Sequence, residues 1–405
     1  MTTRFKQVMA TEATHVLQVY KRLPVMFVRG VGSHLIDEEG QDYLDLLSGI
    51  GVASLGHAHA GLADAVADQA RELLHTSNLY FHPLQAEVAS RLARLSGLDR
   101  AFFCNSGTEA VETCLKFARR YWYTRGRTDR HEIVAFEGAF HGRTFGSLSV
   151  TSGEPYRTPF APLLPGVRFI SQTDPKQVAE AVTDRTAAVI VEPIQGEGGV
   201  RPIPDATAKA LTDACASTGT LLIADEVQCG LGRTGQPFYS TVVGLKPDLM
   251  SLGKSLGAGI PIGVALMSNA VGNAASYGDH GSTYGGNLLA CRAALVFLDA
   301  LEGGLIERVA EAGGRLRAGL EALVAESDTI HEVRGAGLMC GIEVDGEVAD
   351  RMVETALDRK LLINRTANTV VRLLPPLTIS DADIDDGLSR LHGAFADAAA
   401  KVGKA

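Results

Sequence analysis

The sequence predicts an α/β protein with a large domain built on a mostly parallel sheet, helices on both of its faces, and a smaller α+β domain. The chain has 405 residues, enough for two or three domains. From about residue 100, continuous Val/Ile/Leu runs alternate with helical stretches, as in sheets covered on both faces. A second pattern of helix and strands begins near residue 292. We expect a large domain over 51–291 and a small domain from 1–50 with 292–405, because residues 1–50 cannot hold a core alone.

The elements follow in chain order. Short strands are predicted within 24–47, joined by a turn at DEEG (37–40), and a helix with an apolar stripe over 62–74. The large domain then has buried strands at 101–104, 132–136, 187–193, 220–226, 247–254 and 261–268, with helices at 107–121 and 205–217. In the small domain, a long helix over 292–325 precedes strands in 333–344 and 370–380 and a helix at 347–359.

Composition and charge exclude several classes of protein. The 38 Lys and Arg against 47 Asp and Glu give a net charge of −9 without a basic block, which argues against a nucleic-acid binder. The longest apolar runs, such as 293–298, are far shorter than the roughly 18 residues that span a bilayer. The first fifteen residues lack the apolar core of a secretory signal, and the six cysteines never form CxxC. We expect a cytoplasmic protein with reduced thiols and no metal site.

Ligands of parallel α/β sheets bind beyond the carboxyl ends of the strands, and the first candidate there is CNSGTEA (104–110). Ser106, Gly107, Thr108 and Glu109 form a capping-box sequence that opens a helix. Free amides and hydroxyls at a helix N-terminus can bind a phosphate, although the same residues also make an ordinary helix cap.

The second candidate is the carboxylate pair Asp225 and Glu226, at the end of the apolar run LLIA. A carboxylate there can bind a metal, cap the next element or pair with a protonated ring nitrogen. Metal is the weakest of the three because no further ligands follow at metal-binding spacing. GLGRTG (230–235) matches GxGxxG, but no helix follows it, so we interpret it as a glycine-rich loop.

Two more candidates complete the set. Lys254 lies in the glycine-rich stretch SLGKSLGAG, and a lysine of lowered pKa forms a Schiff base with a carbonyl, although most single lysines are merely solvated. Ser282 and Thr283 in HGSTYGGN (280–287) could add hydroxyls to a phosphate site. An aldehyde needs a lysine, a pyridine nitrogen needs a carboxylate, and a phosphate needs a helix N-terminus. Together these features predict pyridoxal 5'-phosphate as the cofactor.

With these motifs in order, the chain resembles the class III (omega) aminotransferases of pyridoxal-phosphate fold type I. The motifs that carry the resemblance are FFCNSGTEA (102–110), FEGAFHGRT (136–144), VEPIQGEGGV (191–200), DEVQCGLGRTG (225–235), LGKSLGAGIPIG (252–263) and HGSTYGGN (280–287). LLSGIGVASLGH (46–57), LLHTSNLYF (73–81) and VRLLPPL (371–377) narrow it to members that act on N2-acetyl-L-ornithine. It implies amino transfer to 2-oxoglutarate, giving N-acetyl-L-glutamate 5-semialdehyde and L-glutamate in arginine biosynthesis.

The resemblance also implies the roles of the cofactor residues. Lys254 would bind the aldehyde and move the proton, and Asp225 would keep the pyridine nitrogen protonated. The remaining cofactor contacts would be Ser106, Gly107 and Thr108 at the phosphate, Val227 and Phe140 on the two ring faces, Gln228 at the ring hydroxyl, and Thr283 from a neighbouring subunit. A homodimer with shared active sites is therefore expected. His141 is expected to be a structural hydrogen-bonding residue.

Substrate binding follows from charge placement in the same resemblance. Arg143 would hold the remote carboxylate of both the donor and glutamate, because guanidinium grips carboxylate bidentately. Arg372 would receive the second carboxylate of glutamate, and Glu197 would neutralise Arg372 when the donor is bound. Ser282 is expected at the acylated end of the donor, and Asn78 and Phe81 are expected to line the pocket. Arg143 could instead be a solvated loop charge, Glu197 a turn residue and Arg372 an edge-strand charge.

Other functions remain open at this point. Succinylornithine, N-succinyl-diaminopimelate, ornithine or 4-aminobutyrate as donor would keep every catalytic residue. An aminomutase or racemase on the same fold would need no 2-oxoglutarate site, and the presence of Glu197 with Arg372 argues against it. A non-enzymatic nucleotide-binding module would rest on the glycine content and GLGRTG alone.

Overall fold

The computed structural model describes residues 1–402, and its N-terminal part contains a small sheet. The elements of this part are α1 (Thr3–His15), β1 (Phe27–Val31), β2 (His34–Asp37), β3 (Asp42–Asp45), α2 (Ser48–Gly51) and α3 (Ala60–Glu72). Strands β1, β2 and β3 are antiparallel neighbours, joined at the predicted turn. Strand β3 also pairs in parallel with the strand Leu361–Leu362. The N-terminal segment is therefore tied to the C-terminal part of the chain.

The middle of the chain forms the seven-stranded sheet that positions the site. Its elements are α4 (Pro83–Ser96), β4 (Arg100–Cys104), α5 (Gly107–Tyr123), β5 (Glu132–Phe136), α6 (Phe145–Val150), α7 (Glu154–Arg157), β6 (Val167–Ile170), α8 (Pro175–Ala181), β7 (Thr186–Val191), β8 (Ile194–Gln195), β9 (Arg201–Pro202), α9 (Asp205–Thr218), β10 (Leu221–Asp225), α10 (Tyr239–Val242), β11 (Leu249–Leu252), β12 (Gly263–Met267) and α11 (Asn269–Gly272).

The strand order in this sheet is β4-β12-β11-β10-β7-β5-β6. The neighbours from β11 to β6 pair in parallel, whereas β12 runs antiparallel to both β11 and β4. All residues of β7, β10 and β12 are buried, as expected where helices cover both faces. The predicted mostly parallel sheet is confirmed. Strand β6 was not predicted, because its four residues include Arg168 and form no continuous apolar run.

The C-terminal part is an α+β unit around a four-stranded sheet of order β13-β14-β17-β16. Its elements are α12 (Leu288–Ala300), α13 (Ile306–Ala325), β13 (Ile330–Ala336), β14 (Met339–Val344), α14 (Gly346–Asp358), β15 (Leu361–Leu362), β16 (Asn364–Thr366), β17 (Val370–Leu373) and α15 (Asp381–Val402). The smaller α+β part is confirmed. The boundaries of the two domains, 51–291 against 1–50 with 292–405, stay a prediction.

Two details of this part differ from the prediction. The helix expected over 292–325 is two helices, interrupted by a π-helical segment at Leu301–Leu305 in which Gly304 has a φ of 107°. The strand expected over 370–380 ends at Leu373, since Pro375 and Pro376 have no N–H to donate to a neighbouring strand.

Within residues 1–402, no helix combines the length and the apolar character that a bilayer crossing requires. The six cysteines are buried and free.

Candidate active site

Eleven residues line a cavity of about 280 Å³ at the carboxyl edge of the large sheet: Gly107, Thr108, Phe140, His141, Gly142, Arg143, Glu192, Asp225, Val227, Gln228 and Lys254. Most of the residues predicted to bind the cofactor are among them. Two other cavities are larger, at about 380 and 390 Å³, but they contain none of these side chains. The structure thus brings together, beyond the ends of β4, β10 and β11, motifs that lie up to about 150 residues apart in sequence.

Lys254 is positioned by the chain reversal that follows β11. It starts a short 3-10 helix and has a φ of 40°, a left-handed conformation that non-glycine residues rarely adopt outside functional sites. Burial, assisted by the charge of Arg372, lowers the pKa of Lys254 to about 8, although nearby carboxylates oppose that shift. A lysine with such a pKa has a larger fraction of neutral amine near neutral pH than an ordinary lysine, and the neutral amine is the form that condenses with an aldehyde.

Asp225, the last residue of β10, is buried and fully partnered on its inner side. Its Oδ1 accepts hydrogen bonds from Ser251 Oγ at 2.9 Å and from the backbone N–H of Val227 at 3.2 Å. Its Oδ2 accepts from His141 Nδ1 at 2.7 Å. His141 therefore forms a structural hydrogen bond, as expected, but no sequence pattern indicated that its partner would be Asp225. The three donors fix the orientation of the carboxylate toward the cavity.

The N-terminus of α5 carries the groups from which the anion site is predicted. Ser106 Oγ accepts from the backbone N–H of Glu109 at 3.4 Å, which is the N-cap half of the predicted capping box. The side chain of Glu109 reaches one residue further back than in a capping box, because its Oε2 accepts from the N–H of Asn105 at 2.8 Å. A Cβ on Gly107 would lie 2.6 Å from Val227 Cγ1, so this position accepts only glycine without rearrangement. The free N–H groups of the first turn face the cavity end of the helix and favour an anion there.

Glu192 is a site residue that the sequence analysis missed. It follows the buried strand β7; its Oε1 accepts from the N–H of Phe140 at 2.9 Å and its Oε2 from the N–H of Gly196 at 3.0 Å. Burial raises the pKa of Glu192 to about 7. Glu192 therefore holds both the segment that carries Phe140 and the turn that carries Glu197. The sequence pattern that could have identified Glu192 is a carboxylate directly after an apolar strand, the same pattern that identified Asp225.

Arg143 lies at the mouth of the cavity and is exposed. Its guanidinium carbon is 3.8 Å from the ring centroid of Tyr156 and 5.4 Å from that of Phe140. The Tyr156 contact was not predicted. Since no carboxylate among the described residues forms an ion pair with Arg143, its charge is available to an anionic ligand.

Arg372 and Glu197 meet beside Gln228, as predicted. Arg372 Nη1 donates to Glu197 Oε1 at 2.6 Å and to Gln228 Oε1 at 3.0 Å. Burial alone would raise the pKa of Glu197, but the charge and hydrogen bond of Arg372 outweigh it and lower that pKa. Arg372 is fully buried, and its Nη2 has no hydrogen-bond partner within residues 1–402. A buried guanidinium nitrogen without a partner is costly, so this side chain is prepared to receive an acceptor.

Comparisons with known proteins agree with this geometry. The family model described as aminotransferase class-III matches residues 16–395. The chain belongs to this family. It is 44% identical over 388 residues to the acetylornithine aminotransferase of Methanocaldococcus jannaschii (95% of this chain, 97% of the relative), and 44% identical over 380 residues to that of Aquifex aeolicus (94% and 99%).

A solved structure adds the cofactor of the family. The ornithine aminotransferase of Toxoplasma gondii superimposes with a TM-score of 0.93 at 32% identity, covering 98% of this chain and 95% of that one, and it is described with partial occupancy of PLP at the active site. Class III aminotransferases depend on pyridoxal phosphate. The cavity of this class III chain fits that group, because it combines a buried lysine, a partnered carboxylate and a capped helix N-terminus.

Six of the predicted site residues are not in the cavity lining: Ser106, Glu197 and Arg372, whose contacts are described above, and Asn78, Ser282 and Thr283. Asn78 Nδ2 donates to the carbonyl oxygens of Ser282 and Gly285, both at 3.0 Å. Ser282 Oγ lies 3.3 Å from Asn105 Nδ2, just before the cap of α5. Thr283 is exposed. These residues therefore lie outside the cavity lining of their own chain.

Proposed function

We propose that this class III aminotransferase transfers the δ-amino group of N2-acetyl-L-ornithine to 2-oxoglutarate, giving N-acetyl-L-glutamate 5-semialdehyde and L-glutamate, as a step of arginine biosynthesis. The named relatives at 44% identity support the donor. The observation that carries the proposal is the 2.6 Å ion pair of Glu197 and Arg372 beside the Lys254 cavity. Glu197 neutralises Arg372 when the substrate has no carboxylate there, and it can be displaced by a substrate that has one.

The proposed cofactor contacts follow the cavity lining. Lys254 would hold pyridoxal phosphate through its aldehyde and, once freed by substrate, its amine would move the proton at the reacting carbon. Asp225, oriented by His141, would keep the ring nitrogen protonated. The remaining contacts are Ser106, Gly107 and Thr108 at the phosphate, Phe140 and Val227 on the ring faces and Gln228 at the ring hydroxyl. When bound, the group withdraws electrons from the reacting carbon.

Charge placement explains how one site takes two substrates. Arg143 at the mouth holds the carboxylate far from the reacting carbon in either substrate. The δ-carbon of acetylornithine carries no carboxylate, so Glu197 stays on Arg372 during that half-reaction. Glutamate and 2-oxoglutarate bring a carboxylate next to the reacting carbon, which displaces Glu197 and takes the guanidinium.

We also propose a homodimer with shared active sites, working in the cytoplasm. Thr283 lies outside the cavity of its own chain, where it is free to reach the phosphate site of a partner. Several large apolar side chains are exposed, including its chain neighbour Tyr284, Tyr277 and Phe81. Exposed apolar side chains of this size are typical of a subunit interface. In such a dimer, Asn78 and Ser282 approach the acylated end of the donor bound to the partner.

Turnover with a panel of donors tests the substrate. With 2-oxoglutarate as acceptor, kcat/KM is measured for acetylornithine, succinylornithine, N-succinyl-diaminopimelate, ornithine and 4-aminobutyrate. We expect acetylornithine to be the best donor. Ornithine is the main rival, since the structural neighbour from Toxoplasma gondii acts on it by name. If ornithine or another donor surpasses acetylornithine, the substrate assignment is wrong while the class of reaction stands.

A further inference from the structure

A basic cavity lies away from the active site, beside the C-terminal half of α5. Its volume is about 380 Å³, and it is lined by Lys116, Phe117, Arg119, Arg120, Tyr123, Arg127, Thr128, Arg130, His131 and Asp279. Five of these residues are Lys or Arg and one is a carboxylate. In a chain with a net charge of −9, such a concentration of positive charge is unusual.

Two of the five cations are compensated, and three are not. Arg120 Nε pairs with Asp279 at 2.8 Å and Arg127 pairs with Asp129 at 3.0 Å. Lys116, Arg119 and Arg130 form no ion pair with any of residues 1–402. Burial lowers the pKa of Arg119 and of Arg130, as expected for guanidinium groups that lack a negative partner.

The helix dipole does not account for these charges. Cations stabilise a helix when they lie in its last turn, which in α5 starts at about Arg120. Lys116 precedes that turn. Arg119 uses Nε and Nη2 to bind the carbonyl oxygens of His131 and Pro165, at 2.9 to 3.2 Å, so it is fixed to the loops rather than to the helix end.

The fixed side chains keep donors that no described residue uses. No hydrogen bond from the described part of the chain reaches Nη1 of Arg119 or Nη1 of Arg120. Lys116 Nζ donates to the Asp279 carbonyl at 3.2 Å and contacts His280 Nδ1 at 2.9 Å, which leaves one of its three N–H groups. Guanidinium nitrogens held in place by backbone contacts are pre-organised to bind an oxyanion.

We propose that this cavity binds a small organic anion that carries a phosphate group. Phosphate suits the site because its charge approaches −2 and its three oxygens can accept from several donors at once. The aromatic rings of Phe117 and Tyr123 provide an apolar wall for the organic part of the ligand. The volume lies within the usual range for small-molecule sites.

The test is calorimetric titration of the enzyme loaded with its cofactor, so that the cofactor phosphate site is filled. The probes are AMP, inorganic phosphate and citrate, with saturating 2-oxoglutarate to occupy the active-site arginines. We expect AMP to bind once per chain and more tightly than either of the other probes. The double variant Lys116→Gln/Arg119→Gln should weaken AMP binding roughly tenfold or more, with kcat/KM unchanged.

Two further variants separate ligand binding from folding. Thr128→Glu, at an exposed lining residue, places a carboxylate in the cavity and should weaken AMP binding without lowering the unfolding midpoint. Arg125→Gln removes a nearby cation that stacks on Tyr121 outside the cavity, and should leave binding unchanged. AMP binding that survives in both cavity variants, or that falls equally with Arg125→Gln, overturns the proposal. Tighter binding of citrate or inorganic phosphate than of AMP, or a failure of AMP to bind, also overturns it.

Discussion

Four charged residues of the site are buried together with groups that compensate their charge. Lys254, Asp225, Glu197 and Arg372 would each be expensive to bury alone, but each faces a partner of opposite charge or several donors. The arrangement leaves two groups poised for change. The amine of Lys254 has a pKa of about 8, and Arg372 keeps an unpartnered nitrogen next to its exchangeable carboxylate.

Arg372→Ala should damage one half-reaction selectively. In the glutamate half-reaction, the variant lacks the cation that binds the carboxylate next to the reacting carbon. The ratio of the single-turnover rate constant to the Kd of glutamate should therefore fall about a hundredfold or more. The acetylornithine half-reaction needs no charge there and should change by less than about fivefold. Each half-reaction is followed separately by single-turnover absorbance. Arg372→Lys, which keeps the charge, is the matched control and should recover part of the loss. Equal losses in the two half-reactions would disprove the assignment.

The lowered pKa of Lys254 predicts a pH-dependent cost in the cofactor-free protein. Below pH 8 the folded chain must carry the charged lysine in a buried place, which costs about 3 kcal/mol relative to the usual pKa of 10.5. That cost disappears as the pH rises from 8 to 10.5, because the unfolded chain then also loses the proton. Lys254→Met should therefore stabilise the cofactor-free protein at pH 7 more than at pH 9.5.

Urea unfolding of both cofactor-free proteins at these two pH values measures this difference. Titrating groups that do not interact with Lys254 contribute equally to wild type and variant, so they cancel in the comparison. A stability difference that is the same at both pH values would show that the pKa of Lys254 is not lowered in the folded state.

At the scale of elements, α5 joins the core to the anion site. Its apolar side, which includes Val111, Leu115 and Ala118, is buried against the large sheet, and its first turn faces the cavity. The sheet therefore fixes the direction in which the free N–H groups point. A helix held in this way binds an anion without first paying for the ordering of its end.

Ser106→Ala should lower both the stability of the fold and the affinity for the cofactor. Loss of the N-cap costs about 1 kcal/mol of unfolding free energy, and a frayed first turn presents its amides less well to the phosphate. We expect the cofactor to dissociate several-fold faster. Asp174→Ala is the matched control, since Asp174 caps α8 through the N–H of Lys176 and lies outside the cavity. It should cost similar stability and leave cofactor release unchanged; faster release there too would indicate a general loss of stability.

At the scale of the whole molecule, the site draws on distant parts of the chain and, by our proposal, on a second chain. Strand β10 of the large sheet supplies Asp225, the short helix after β11 supplies Lys254, and β17 in the C-terminal part supplies Arg372. A site built in this way depends on how the two parts of the chain lie against each other.

Complementation between two inactive chains tests the shared site. Lys254→Ala removes the lysine, and Thr283→Glu should repel the phosphate of the partner's cofactor. A hybrid dimer of the two has one site with both defects and one with neither, so it should show about half of the wild-type activity while each homodimer is inactive. Purified hybrids carrying two different tags are assayed against both homodimers. An active Thr283→Glu homodimer, or an inactive hybrid, would exclude this sharing.

Much of the fold could be predicted because its signals are local. Buried strands appeared as apolar runs, the capping box marked the start of α5, and glycine-rich turns marked the loop around Lys254. The cofactor residues near strand ends were recognisable for the same reason, since each motif is continuous in sequence.

The sequence by itself thus determined which segments form strands and helices and which chemical groups stand at their ends. Tertiary structure alone decided that β12 runs antiparallel, that His141 holds Asp225, that Tyr156 lies on Arg143 and that Arg372 Nη1 lies 2.6 Å from Glu197 Oε1. The physical reason is that periodicity describes each element along its own axis. The direction of a strand and the meeting of side chains 84 or 175 positions apart depend on how all the elements pack together.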